Sequence, residues 1–499
     1  MARITIDPLT RLEGHGRVEI FLDASGEVEN AYLVVPELRG FERLCVGRPA
    51  EEMPRITARI CGLCPEAHMM ASVKALDDLY GVEPPPAARK IRELLYMAFF
   101  VLDHATHFFA LAGPDLFLGP DAPPAERNLF GVLRRLGSDV AREIVAGRMR
   151  NAEVIALLGG RGVHPEGALP GGWSRPVSEE TRLAILGAAR ANVELALAAL
   201  KLWDDVVLAN AAVAPMLHDE TFAERTYSMG TVDEAGRLAL YDGRVRVVDP
   251  DGVEVARFHP RDYRLHVAER VEPWTYLKMP YLRQVGWRGL ASGRDSGVYA
   301  STPLARLNAS VGMATPRARE ERERLYAALG GGAPGDGRRP VHNRFATHWA
   351  RLVELLYAAE RMVELASDPS LTDPDVRARL EATPREGIGC VEAPRGTLTH
   401  HYTTDERGIV TGVNLVVGTT NNHAALALSI TKAARALLRG GAPPTEGLLN
   451  RIEMVIRTYD PCLSCATHAW PGGPSLLVRL RGPEGEVLWE GGRGGPGTP

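Results

Sequence analysis

Two short stretches, one near each end of the chain, limit most strongly what this sequence can fold into: "RICGLCPEAH" at 59–68 and "DPCLSCATH" at 460–468. Each holds two cysteines at CxxC spacing with a histidine just beyond: Cys61, Cys64 and His68 in the first, Cys462, Cys465 and His468 in the second. In a chain of 499 residues with only six cysteines, two such pairs point to metal or redox chemistry rather than to a disulfide framework. A fold that uses both pairs must bring the C-terminal end back to the N-terminal region. Spacing leaves the metal open. Zinc ribbons keep their pairs close in sequence, which counts against a structural zinc site. Soft thiolates equally suit iron–sulfur clusters, copper and nickel.

Charge and hydropathy narrow the partners. With 58 basic and 62 acidic residues and a net charge of -4, the chain lacks the basic surplus that draws nucleic acid or an anionic membrane. Its start, "MARITIDPLT", lacks the charged-then-apolar plan of a secretory signal, and the longest apolar run, "LLYMAFFVL" at 94–102, is too short to span a bilayer. The expectation is a cytoplasmic protein with no nucleic-acid partner and no direct membrane insertion.

The pattern along the chain predicts a mainly α protein with small attached β-sheets. "RVEIFLDASGEVENAYLVV" at 17–35 alternates about a turn at Ser25 and Gly26 and reads as a hairpin. From Pro86 to about Gly113 apolar residues cover most faces, as in a helix buried within a bundle. Ser178, followed by Glu179 and Glu180, is suited to cap a second long helix. Helical spacing returns at 343–366, 423–439 and 446–458, and a β-rich insert with Asp-Gly turns occupies about 230–257. Pro461 disfavours the α conformation at Asp460, which ends the last helix and presents Cys462 on a turn. The stretch at 330–340, "GGGAPGDGRRP", reads as a surface loop and the end, "GGRGGPGTP", as a disordered tail.

The two cysteine stretches resemble the paired signature of the nickel-iron hydrogenase large subunit, R-x-C-G-x-C-x-x-x-H and D-P-C-x-x-C-x-x-H, and both match in full. Further matches are "DPLTRLEGHGRVEI" at 7–20, "ELRGFE" at 37–42, "HFFALAGPD" at 107–115, "HPEGALPGGW" at 164–173, "EAPRGTLTHHY" at 392–402 and "VVGTTNNHAAL" at 416–426, so the likeness covers most of the chain. The resemblance implies a large-subunit-like helical core over 1–468 and reversible heterolytic cleavage of dihydrogen. It implies nickel, an iron with carbon monoxide and cyanide ligands, and magnesium. Cys61 and Cys462 would be terminal nickel ligands, with Cys64 and Cys465 bridging to iron. Cys462 would pass a proton to Glu13, Arg395 would hydrogen-bond a cyanide, Asp115 would orient Arg395, and Thr419 would donate to the second cyanide. At that last position Gly418-Thr419 replaces the family's commoner Pro-Ser or Pro-Thr step. Glu42 and His468 would bind magnesium, and His68 would hydrogen-bond a cysteine sulfur. Without the match, Glu13, Glu42 and Arg395 read as solvated charges and Asp115 as a helix-end carboxylate. His104, His107, Cys45 and Cys390 are taken as core residues.

With Cys45 and Cys390 taken as core residues, no cysteines are left for relay clusters, so the resemblance implies that electrons leave through an iron-sulfur small subunit. "RGFERLCVGRP", "GPDAPPAERNLFG" and "EAPRGTLTHHYTTDERGIV" look most like the cytoplasmic group linked to NAD or NADP through diaphorase-type subunits. Residues 469–499 match an extension that a maturation endopeptidase removes, and "SLLVRLR" and "EVLWEGG" across "GPEG" suit a small hairpin. The alternatives are a zinc-only scaffold and a metal-free complex I-like relative; four retained cysteines count against the second.

Overall fold

The computed structural model describes residues 2–35, 40–272, 275, 277–330, 339–380, 385–439, 444–465, 477–481 and 487–492. His468, most of the 330–340 loop and nearly all of the glycine-rich end lie outside the described residues.

The N-terminal hairpin is present and extended by one strand: β1 (Ala2–Asp7), β2 (Arg17–Leu22) and β3 (Val28–Val34) form an antiparallel run. Its buried face carries Ile4, Ile6, Val18 and Ile20. Period-two alternation puts these side chains on one side of the sheet.

Helices build the body. Helix α1 (Pro65–Tyr80) starts directly after Cys64, with proline in its first turn, where the missing N–H is not needed. Helix α2 (Pro86–Thr106) is buried on most faces, as expected, and continues as a π-helical turn over His107–Leu111 into α3 (Gly113–Leu118). Next come α4 (Ser138–Gly159) and α5 (Glu179–Leu202), whose Ser178 hydroxyl accepts from Thr181 N at 3.1 Å as its sequence predicts. Helix α6 (Ala346–Ser367) packs against α2 and α5 at the centre. Helix α7 (His423–Leu437) packs on β3 and on α8 (Glu446–Tyr459), and α8 ends with Asp460 in the left-handed conformation before Pro461. By length and composition, Pro86–Leu111 and Glu179–Val207 could each cross a membrane, which unbroken apolar runs alone do not reveal; the first is a core helix here.

The insert forms β4 (Tyr227–Val232), β5 (Arg244–Val248) and β6 (Glu254–Phe258), antiparallel in that order. A second sheet, β7 (Glu386–Ala393), β8 (Gly396–Thr404) and β9 (Val410–Val416), was not foreseen. Most of β7 and β8 is buried on both faces, so the sequence lacks alternation. Helix α1 lies so close to β7 that a Cβ on Gly389 would meet Ala71 O at 2.0 Å. This contact sets the helix after Cys64 beside the β7–β8 turn that carries Arg395. Finally β10 (Leu477–Arg481) and β11 (Val487–Gly492) form the expected C-terminal hairpin, and β10 pairs antiparallel with β1.

Candidate metal centre

The two ends of the chain do meet. Glu13 and Cys462 pair as an isolated parallel bridge in which Leu463 N donates to Glu13 O at 2.7 Å. Gly14, at φ +86°, lies so near this turn that a Cβ on it would sit 2.7 Å from Ser464 N, so the close crossing requires glycine.

Here Cys61, Cys64, Cys462 and Cys465 converge, all buried, with their sulfurs within 4.8 Å of one another. Cys61 Sγ is 3.0 Å from Cys462 Sγ and 2.7 Å from Cys64 Sγ; Cys465 Sγ is 3.2 Å from Cys64 Sγ and 2.9 Å from Cys462 Sγ. None of them is in a disulfide. The turn after Cys61 aims Leu63 N and Cys64 N at its sulfur, at 3.3 and 3.0 Å. Burial resists ionisation of all four thiols. Hydrogen bonds from Cys462, Cys465 and Cys64, with the Arg395 charge, nevertheless draw Cys61 well below the usual thiol range, whereas the other three are pushed up. Four buried sulfurs converging on one point suit soft thiophilic metals such as nickel and iron.

Around the sulfurs stand three polar features. Cys462 Sγ donates to Glu13 Oε2 at 3.1 Å, and Ser464 N donates to the same oxygen at 2.9 Å. Burial and the Cys61 charge raise the Glu13 pKa. Thr419 Oγ1 accepts from Cys462 N at 3.0 Å, so its hydroxyl anchors the ligand turn. Arg395 is held between two buried carboxylates, with Nη1 3.0 Å from Asp103 Oδ1 and Nη2 3.1 Å from Asp460 Oδ2. Burial pushes Asp103 up to about 6, against the pull of Arg395, while the guanidinium charges of Arg395 and Arg351 overcome burial at Asp460 and hold it well below the usual range.

Asp115 corrects the sequence reading. Its carboxylate is not on Arg395: it accepts from Arg11 at 2.6 Å, Arg457 at 2.8 Å and Asn450 at 3.0 Å. Asp103 and Asp460 take the expected place. His68 Nδ1 lies 3.1 Å from His400 Nε2. Glu42 Oε1 accepts from Leu415 N at 2.9 Å, with Lys278 Nζ 3.6 Å away. Cys45 and Cys390 are buried, as expected. His104 is buried against Glu354, but His107 Nδ1 lies 3.1 Å from Asp460 Oδ1 and so belongs to the rim of the site.

Sequence reasoning also passed over Asp103, Asp460, Glu66 and His164. The signal for Asp103 was a carboxylate directly after the apolar run 94–102, and Asp460 stood inside the second cysteine motif. Glu66 is buried beside the charges of Cys61 and Asp103, and desolvation pushes its pKa up to about 8. His164, in "HPEG", has a positive φ of 53°, and its ring lies near enough to Cys61 to feel that charge.

A zinc staple has no use for a carboxylate on its sulfur or for a desolvated guanidinium beside it. Fold and site together define a thiolate-metal enzyme that handles protons. A family model described as nickel-dependent hydrogenase matches residues 39–118 and 301–468, and one described as HoxL-like matches 3–38. The iron-sulfur subunit of the F420-non-reducing hydrogenase of Archaeoglobus profundus is 45% identical over 488 residues, covering 98% of this chain and 99% of that one. The NAD-reducing hydrogenase HoxS subunit beta of Cupriavidus necator is 37% identical over 507 residues, covering 98% and 99%. Among solved structures, an NAD+-reducing [NiFe]-hydrogenase in the H2-reduced state superposes with a TM-score of 0.85 at 39% identity, covering 93% of this chain and 99% of that chain. This chain belongs to the nickel-dependent hydrogenase family; it is a large, catalytic subunit, an oxidoreductase acting on dihydrogen.

Proposed function

We propose that Cys61, Cys64, Cys462 and Cys465 would together hold nickel and an iron bearing carbon monoxide and cyanide. When bound, this pair supplies the redox centre at which dihydrogen is cleaved heterolytically. The chain's own residues manage the proton and the charge. Cys462 Sγ is the first proton acceptor, and Glu13, 3.1 Å away and held by Ser464 N, receives the proton and passes it outward. That contact is the observation that carries the reading. Arg395, locked by Asp103 and Asp460, offers a fixed cationic fork in a dry pocket to an anionic iron ligand.

Magnesium fits the surroundings of Glu42. Lys278 Nζ faces Glu42, Glu269 Oε2 at 3.2 Å and Asn414 Oδ1 at 3.0 Å, so two carboxylates oppose one ammonium. Buried Glu269 Oε1 has no hydrogen-bond partner among the described residues. Hard oxygen donors with surplus negative charge suit a hard cation, and His468 is the proposed further ligand.

The partners we propose are a small iron-sulfur subunit, with diaphorase-type subunits beyond it that reduce NAD or NADP, in the cytoplasm. The likeness to the NAD-reducing relative supports this link.

Arg395→Lys tests the reading of the site. Lysine keeps the charge but not the planar fork, so turnover falls roughly 10²-fold, the scale of losing one preorganised donor. Infrared spectra should retain the carbon monoxide and cyanide bands. Unchanged turnover, or wild-type enzyme without those bands, would overturn it.

We also propose that residues 469–499 are removed between His468 and Ala469 by an endopeptidase after nickel loading. The β10–β11 hairpin supports this, because its pairing with β1 gives the extension a seat of its own while the thiols are loaded. Intact-mass measurement of active enzyme should give a chain ending at His468. A catalytic chain still ending at Pro499 rules cleavage out.

A further inference from the structure

We infer that Asp115 and Arg457 form a clamp that positions the loop carrying Glu13, so that its carboxylate stays on Cys462. The inference rests on the reading of Glu13 as the proton gate. Arg11, two residues before Glu13, has a positive φ of 57°, a conformation that a non-glycine residue keeps only when its surroundings hold it. What holds it is Asp115, whose Oδ1 accepts from Arg11 Nη2 at 2.6 Å; Leu111 O accepts from Nη1 at 3.3 Å. Asp115 Oδ2 accepts from Arg457 Nη1 at 2.8 Å, and Arg457 grips the same loop through Thr10 O at 3.1 Å and Thr10 Oγ1 at 3.0 Å. Glu453 Oε2 accepts from Thr10 Oγ1 at 2.7 Å. Asp115 and Arg457 are almost fully buried, so these charge-assisted bonds are sheltered from water.

Arg457 stands in the last turn of α8, the helix that runs into Asp460 and Cys462. One guanidinium thus ties the loop that presents the acid to the helix that presents the thiol. Beyond Arg11 the chain has little slack: Glu13 O is bonded to Leu463 N, and Gly14 has no room for a Cβ. Asp115 and Arg457 are therefore positioning residues that set the Glu13–Cys462 distance, and neither touches the thiols themselves.

The test compares Asp115→Asn with Glu13→Gln in the assembled holoenzyme. Asparagine keeps the shape and loses the charge that pairs Arg11 with Arg457. We expect hydrogen–deuterium exchange between dihydrogen and solvent to fall roughly 10²-fold, the scale of an ångström-sized misplacement, with a larger solvent isotope effect on oxidation and intact infrared bands. Backbone amides of Leu463 and Ser464, read by mass spectrometry, should exchange faster. A role in stability alone would lower metal content and melting temperature together and leave the isotope effect unchanged. If Asp115→Asn does not accumulate, Thr10→Val removes the hydroxyl that Arg457 and Glu453 hold while the buried charges stay paired. Reduced solvent exchange with full infrared bands then supports the clamp, and wild-type exchange overturns it. If Glu13→Gln itself exchanges at the wild-type rate, the gate reading falls. If Glu13→Gln is blocked and Asp115→Asn is not, only the clamp falls.

Discussion

Replacing any one of Cys61, Cys64, Cys462 or Cys465 by alanine should abolish hydrogen oxidation. The four sulfurs lie within 4.8 Å of one another and are buried, so a missing thiolate leaves a gap that neither water nor a neighbouring side chain fills with a soft donor. The ligands act as one unit. Loss of one member should therefore cost at least about 10³-fold in turnover, as in other interdependent catalytic sets. Metal analysis separates this outcome from the competing accounts: wild-type enzyme should carry nickel and iron, and each variant should lose nickel, iron or both. Zinc alone in the wild type would favour a scaffold. A variant with normal nickel content and normal turnover would sink the assignment of that cysteine.

The parts of this site that were readable without coordinates are those that local chemistry writes into a motif. A CxxC pair needs its spacing to present two sulfurs from one turn, and Pro461 forces the break that puts Cys462 on a turn. The mutual approach of the pairs was readable only as a requirement; what achieves it is the Glu13–Cys462 bridge and a glycine too crowded to be replaced. Asp115 shows the limit. Its motif is plain in the sequence, yet motif and spacing cannot say which of several arginines a carboxylate meets across the fold. Arg395 finds Asp103, from the last turn of α2, and Asp460, from the end of α8, so its partners are set by packing between elements far apart in sequence. The β7–β8 strands escaped notice for a related reason: burial on both faces erases alternation. Helix α4 was also unforeseen, and its many charged residues blur the apolar stripe that periodicity relies on.

The second large effect should come from Glu13→Gln. Glutamine has the same shape, its carbonyl oxygen can accept from Ser464 N as the carboxylate does, and its amide can still face Cys462. What it cannot do is take up a proton and release it. Of the nearby carboxylates, Asp103 and Asp460 hold Arg395, Asp115 holds Arg11 and Arg457, and Glu66, beside Cys61, is buried away from solvent. Glu13 is only partly buried, so it reaches toward solvent as well as toward the thiol. With proton transfer between Cys462 and the outside interrupted, hydrogen oxidation and hydrogen–deuterium exchange with solvent should both fall by about 10²- to 10⁴-fold, the range spanned by general acid–base catalysis. Nickel and iron content and the infrared bands should stay at wild-type levels, because the side chain is no metal ligand in this scheme. Glu13→Asp, which keeps the acid but draws it back by one methylene, should fall between the two. Solvent exchange at the wild-type rate in Glu13→Gln would mean that protons leave Cys462 by another route, and the contact at 3.1 Å would then serve only to hold the ligand turn in place.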